Sequence, residues 1–252
     1  GFILFNLNGA STRNTGLEIV GRAKMVNRAN FGWDIITNFD RSRGRVLKLP
    51  NALPESYVSD TWLYGNVRNG VQPGLSTRSL TGLFYLRNNK GDLLIDPTTG
   101  LPLRSTAFID AGYDRQPDWT MGITNQVRYK NFTMSMLWDI RRGGDVFNGT
   151  EHLLTSRGLT NRTLDRDQPR VIDGVLRDGR ENSDNPTRNS IVVIPAVQNG
   201  YYTAISEELF IEKDINWLRL RDVTIRYALP ASLLKARDAS VALTMTDLFV
   251  FT

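Results

Sequence analysis

Covalent and metal-assisted chemistry needs histidines, thiols or converging carboxylates, and the sequence offers few: among 252 residues there is one histidine, His152, and no cysteine. A lone imidazole cannot build a His-based triad or a His-rich metal site. Without thiols there are neither disulfides nor thiolate ligands. His152 stands in a stretch rich in turn residues and is expected at the surface. Glu207 with Glu208, and Asp110 with Asp114, have the residue types of a hydrolytic acid and base. Adjacent residues on a strand point to opposite faces, however, so Glu207 and Glu208 are expected to be solvated separately. No catalytic constellation, metal site or cofactor site is therefore expected, and an enzyme is the least supported class of function.

The charged residues read as surface. Lys and Arg number 31 against 26 Asp and Glu, a net charge of +5, and the excess is scattered with no block resembling a nucleic-acid arm. With 40% hydrophobic and 23% charged residues, the composition is that of a folded chain of ordinary polarity. Between Arg142 and Ile205, seven arginines (Arg157, Arg162, Arg166, Arg170, Arg177, Arg180, Arg188) interleave with Asp165, Asp167, Asp173, Asp178 and Asp184. That mixture marks a hydrated loop that could also meet a partner or substrate. The loop aromatics Trp62, Tyr64, Phe84, Tyr85, Tyr201 and Tyr202 are candidates for stacking on sugar rings or packing against a lid; packing within the loop is the plainer reading.

The elements that must position these residues are strands. No segment suits a transmembrane helix: the longest uncharged run, Asn189 to Ser206, carries Pro195, Asn199 and Gly200, which would leave backbone groups unpaired in lipid. Gly1-Phe2-Ile3-Leu4-Phe5 is a short apolar patch without a basic leader, so no signal peptide is expected in this sequence. Period-two alternation, by contrast, recurs. Phe31, Trp33, Ile35, Thr37 and Phe39 oppose Gly32, Asp34, Ile36, Asn38 and Asp40. The runs Trp119 to Tyr129 and Asn131 to Arg141 repeat the pattern, each close to the roughly 9 to 11 residues a tilted strand needs to cross the hydrocarbon layer. Leu17 to Met25 and Val241 to Thr246 alternate less cleanly. Ile215 to Tyr227 changes phase midway, which predicts a β-bulge near Arg221 and Asp222.

Connections alternate between short and very long. Asn27 to Asn30, Tyr129 to Phe132 and Ala228 to Ala239 are short; Val46 to Asp118 and Arg142 to Ile205 are long and rich in Gly, Pro, Asn and Asp. Outer-membrane barrels have this asymmetry, with short periplasmic turns and long extracellular loops. Phe31, Trp33, Tyr129, Phe132 and Tyr227 sit beside the short turns, and Phe39, Trp119 and Trp138 near the long loops, as two interfacial girdles require. The competing architecture is a soluble antiparallel β-sandwich burying the same apolar positions against a second sheet.

Several segments carry a family resemblance. Asp118-Trp119-Thr120-Met121-Gly122-Ile123-Thr124-Asn125, then Tyr129-Lys130-Asn131-Phe132, then Asp139-Ile140-Arg141-Arg142-Gly143-Gly144-Asp145-Val146-Phe147-Asn148-Gly149-Thr150 resemble the C-terminal region of SusC/RagA-type TonB-linked outer-membrane proteins. Arg13 to Ile19, Asp96 to Gly100, Trp217 to Pro230 and Asp247 to Thr252 are similar to other family segments in the same order. The chain departs from the family in having only Asp110 and Asp114 where members carry a calcium-like stretch, so no metal is implied there.

The resemblance implies an all-β transmembrane antiparallel β-barrel in which residues 1–252 are a C-terminal fragment, about six strands of about 22, with long extracellular loops. The plug domain and the closing strand are expected to lie outside the sequence. It further implies location in the cell outer membrane as a multi-pass barrel contacting lipid. The implied activity is TonB-dependent import of oligosaccharides or oligopeptides with a SusD-like surface lipoprotein, energised by the TonB complex through the N-terminal region; a nonenzymatic adhesin or structural β-protein is the alternative. Because an Arg facing lipid near the midplane costs about 2 to 4 kcal/mol, Asp139, Arg141, Arg219, Arg221, Asp222 and Arg226 are expected to line the lumen.

Overall fold

The computed structural model describes residues 9–50, 57–58, 67–203, 205–230 and 239–252. The chain divides into two compact units, one built from Arg13–Gly44, Gln116–Asp145 and Lys213–Thr252, the other including Arg45–Arg115 and Val146–Glu212.

The first unit is formed by a six-stranded sheet, of which only the outer ends of the two first strands fall beyond its bounds: β1 (Ser11–Arg28), β2 (Phe31–Lys48), β3 (Trp119–Tyr129), β4 (Phe132–Arg142), β5 (Trp217–Ala228), β6 (Ser240–Phe251), in that spatial order. Sequence neighbours are sheet neighbours, and the registered pairs from β2 to β6 are antiparallel. The tight turn between β3 and β4 places Lys130 at φ +50, the left-handed conformation such turns demand. The Lys130 N–H donates to Asn30 O at 2.9 Å and the Ala228 N–H to Asn131 O at 2.9 Å, tying the short turns side by side. At the other end Gly143 and Gly144 lie at φ +76 and +87. A Cβ on Gly143 would meet the Asp118 carboxylate at 2.6 Å, so the chain can leave the sheet here only without a side chain. β1 and β2 reach 18 residues each, well beyond their alternating cores.

The expected bulge is present. Pairing of β5 with both neighbours slips between Leu220 and Asp222, so that Arg221 has no place in either ladder. Opposite it, β6 accommodates the slip with Asp247 at φ +55. The slip restores one apolar face: Phe31, Tyr129, Phe132, Tyr227 and Val241 form one row across the strands, and Phe39, Met121, Ile140, Leu218 and Phe251 another. Four aromatics of the expected short-turn set, Phe31, Tyr129, Phe132 and Tyr227, share the first row, with Phe132 and Tyr227 4.6 Å apart. Of the expected long-loop set, Phe39 lies in the second row with its ring 6.0 Å from Trp119, while Trp138 lies one row nearer the short turns, with Ile123 and Leu220. Phe132 remains 52% exposed and Tyr129 54%, so neither ring sits in a sandwich core. Asn125, the polar exception among its β3 neighbours on this face, accepts a hydrogen bond from Trp33 Nε1 at 3.3 Å.

In the second unit the long connections carry folded structure of their own. Antiparallel strands Arg68–Val71, Ser79–Gly82 and Ile109–Asp114 enclose a core of Val67, Leu80, Phe84, Tyr113 and Ile211, with Ile109 and Phe147 packed on it. The two excursions are joined: Leu94–Ile95 pairs in parallel with Val175–Leu176. Helix α1 (Gly149–Ser156) starts at Asn148, whose side chain accepts the Glu151 N–H at 2.9 Å. Glu207 and Glu208 lie in a 3-10 helix, Glu207–Phe210, and are not solvated. Glu207 is only 2% exposed and pairs with Arg104 at 2.8 Å. Glu208 accepts the Tyr85 N–H, Arg87 at 3.0 Å and the Tyr113 hydroxyl at 3.1 Å. His152 is likewise buried, at 8% exposure, and not at the surface as expected. The sequence could not show this because the side chains that bury it come from residues 147 and 210.

Candidate functional site

The second face of the sheet follows from the same registers. Opposite partners in an antiparallel ladder share a face, so Asp139 lies in one row with Asn38, Gly122 and Arg219. Arg141 lies in the next row with Thr120 and Trp217, and Asp222, Thr224 and Arg226 continue the face toward the short turns. Gly122 has no side chain, and the depression there has a volume of about 410 Å³, bordered by Glu18, Asn38, Asp40, Thr120 and Asp139. Further along, a Cβ on Gly32 would meet the Arg128 guanidinium at 3.1 Å; the glycine gives that side chain room to lie across the sheet.

Asp139, Arg141 and Arg219 thus come together at the long-loop end. The Arg141 guanidinium sits over the Trp217 ring at 5.0 Å, and its Nε donates to Gly143 O at 3.0 Å. Arg219 forms an ion pair with Asp247, the residue displaced into the bulge of β6. Asp222 accepts the Thr224 hydroxyl at 3.3 Å. Arg226 is exposed beside Thr133 and Ala242. Arg221 does not align with the others: it is exposed at the bulge, outside both ladders. Sequence reasoning missed Trp217 and Asp247 as partners. Both lie in segments the resemblance singles out, Trp217 to Pro230 and Asp247 to Thr252, but nothing local pointed to their contacts, which depend on strand register.

The loop aromatics divide differently. Phe84 is 1% exposed and meets Tyr113 edge-on, ring centroids 5.5 Å apart, so it is core and unavailable for stacking on a sugar. Tyr85 is also buried; its hydroxyl oxygen accepts the Ser206 N–H at 3.2 Å, and burial pushes its phenol above the usual range. Tyr201 and Tyr202 are half-buried and pack edge to face at 5.0 Å. Tyr85 and Tyr201, with Leu93, Leu101, Ile172 and Leu209, border an apolar cavity of about 150 Å³. Trp62 and Tyr64 lie outside the described residues. Among the described residues, no three metal-ligating side chains converge.

An all-β meander with one apolar and one polar face, whose short turns join the strands at one end and whose long connections leave from the other, has the strand pattern that a β-barrel wall requires. No family model matches the chain. Comparison of sequences finds "TonB-dependent receptor P3" of Formosa agariphila (strain DSM 15362 / KCTC 12365 / LMG 23005 / KMM 3901 / M-2Alg 35-1), 27% identical over 246 residues, covering 90% of this chain and 23% of the receptor. Among solved structures, the fold matches a chain of the RagAB peptide transporter with a TM-score of 0.56 and 15% identity, covering 97% of this chain and 26% of that one. The RagAB peptide importer in its "closed-closed" and "open-open" states matches with TM-scores of 0.56 and 0.55. The chain therefore spans about a quarter of the length of the proteins it matches. The resemblance to SusC/RagA-type TonB-linked proteins, read from the motifs, stands on these findings: a homologous TonB-dependent receptor and the fold of RagAB.

Proposed function

We propose that this chain is the C-terminal wall and loop region of a TonB-dependent importer in the outer membrane, a barrel of about 22 strands carrying oligosaccharides or oligopeptides. The observation that carries the reading is the two-faced sheet. Its apolar rows, restored across the bulge at Arg221, suit lipid, and its polar rows suit a water-filled lumen. Import needs both surfaces on one strand set, whereas an adhesin built as a sandwich would bury the first.

In this reading Asp139, Arg141, Arg219, Asp222 and Arg226 line the lumen, with Arg221 at the mid-strand bulge and the Gly143 to Ile205 excursion outside the cell. A plug domain would fill the barrel, a SusD-like lipoprotein would cap it, and the TonB complex would energise it through the N-terminal region. The ion-paired Arg219 suits a structural role, and Arg141, held over Trp217, presents a fixed guanidinium where a substrate would enter. The test is growth on oligopeptides or oligosaccharides as sole nutrient, in cells carrying or lacking the full-length gene. Loss of growth on one class in the deletion strain, restored by the gene and dependent on TonB, is expected. Unchanged growth on both classes would overturn the reading.

A further inference from the structure

His152 is the sequence's only histidine, and hence its only side chain with an ordinary pKa between 5 and 8. It is built into a packing joint. The ring projects from α1 and lies between Phe147 at 5.7 Å and Phe210 at 4.9 Å, tilted 54° and 56° to them. Phe210 ends the 3-10 helix Glu207–Phe210, so the imidazole holds α1 against that helix. We propose that His152 is an acid-sensitive latch: its neutral ring docks α1, and protonation releases the segment from Asn148 to Thr163.

The surrounding charges do not stabilise an imidazolium enough to prevent this. Glu207 favours the cation, but its carboxylate already pairs with Arg104 at 2.8 Å, and Arg104 opposes it. Glu208, on the same 3-10 helix, is occupied by Arg87 and the Tyr113 hydroxyl. On α1 itself Glu151 faces Arg162 at 3.4 Å, and Arg162 stacks over Phe210 at 5.4 Å, adding positive charge beside the joint. Glu212, which pairs with Val146 in a short antiparallel ladder of Val146–Phe147 with Ile211–Glu212, receives the Asn148 amide at 2.7 Å. Desolvation therefore decides the balance, and burial holds the His152 pKa below its ordinary value of 6.5. The sign follows from linkage. Above 6.5 the docked and released states are both neutral and docking is at full strength; as pH falls below 6.5 the released state takes up the proton first and docking weakens. At pH 5.5 the docking equilibrium shifts by up to about tenfold.

The inference concerns only the excursion unit and holds whatever the barrel carries. The test is hydrogen exchange of the full-length protein in detergent micelles at pH 7.5 and 5.5, corrected for intrinsic exchange chemistry. Peptides from Asn148 to Thr163 should lose up to about tenfold protection at pH 5.5 relative to peptides from β3 and β4. His152→Phe and the milder His152→Gln should abolish that difference. Equal protection of this segment at the two pH values in the wild-type protein overturns the latch, as does a pH response that survives both substitutions.

Discussion

Glu207 and Arg104 form an ion pair with little access to water, their side chains 3% and 19% exposed. Removing one partner of a buried pair leaves the other charge without compensation, at a cost of about 3 to 5 kcal/mol. Because Arg104 keeps some exposure, we predict that Glu207→Ala costs roughly 3 kcal/mol, the lower end of that range, within the excursion unit. Limited proteolysis of the full-length protein should then cut faster between Arg45 and Arg115; unaltered cleavage would show the pair to be dispensable. On the sheet, Arg141 is held by Trp217 and Gly143, while Arg221 stands free of the ladder at the bulge. We predict that Arg141→Ala with Arg221→Ala impairs uptake while barrel abundance stays nearly unchanged. Normal uptake, or loss of the protein from the membrane, would refute their assignment to the lumen.

Among the elements, β4 offers the sharpest contrast because neighbouring residues must meet opposite environments. Met136 lies between Asn125 and Val223 in the apolar face, and Ser135 lies between Gln126 and Thr224 in the other. If the apolar face meets lipid, Met136→Arg should destabilise the barrel by about 2 to 4 kcal/mol in denaturant unfolding from bilayers. Ser135→Arg should cost far less, and equal costs would mean that the two faces see the same solvent. In the excursion unit, Phe84→Ala removes the ring at the centre of the core with Val67, Leu80, Tyr113 and Ile211. A loss of about 3 to 5 kcal/mol is expected, read as accelerated exchange in Ser79–Gly82.

For the whole molecule, orientation is the decisive property. The long connections leave one end of the sheet and the tight turns occupy the other, so a single orientation puts every long excursion on the same side of a membrane. We predict that antibodies against Gly143 to Ile205, or protease added to intact cells, reach this segment and miss the Lys130 turn. Labelling of the turn with no labelling of the excursion would invert the proposed topology.

The sequence by itself determined the strand phases, the slip at Arg221 and the alternation of short and long connections. These are local properties: a period of two reports the two environments on either side of a strand, and a break in it needs no distant partner to be visible. The tertiary structure alone decided which polar residues are buried. His152 and Glu207 read as surface because the rings of Phe147 and Phe210 and the guanidinium of Arg104 reach them from other segments. The partner of Arg219 was likewise hidden, since Asp247 comes within reach only through the register of β5 with β6 and the bulge they share. Burial and pairing of this kind belong to contacts between distant parts of the chain, which pattern along a single strand does not encode.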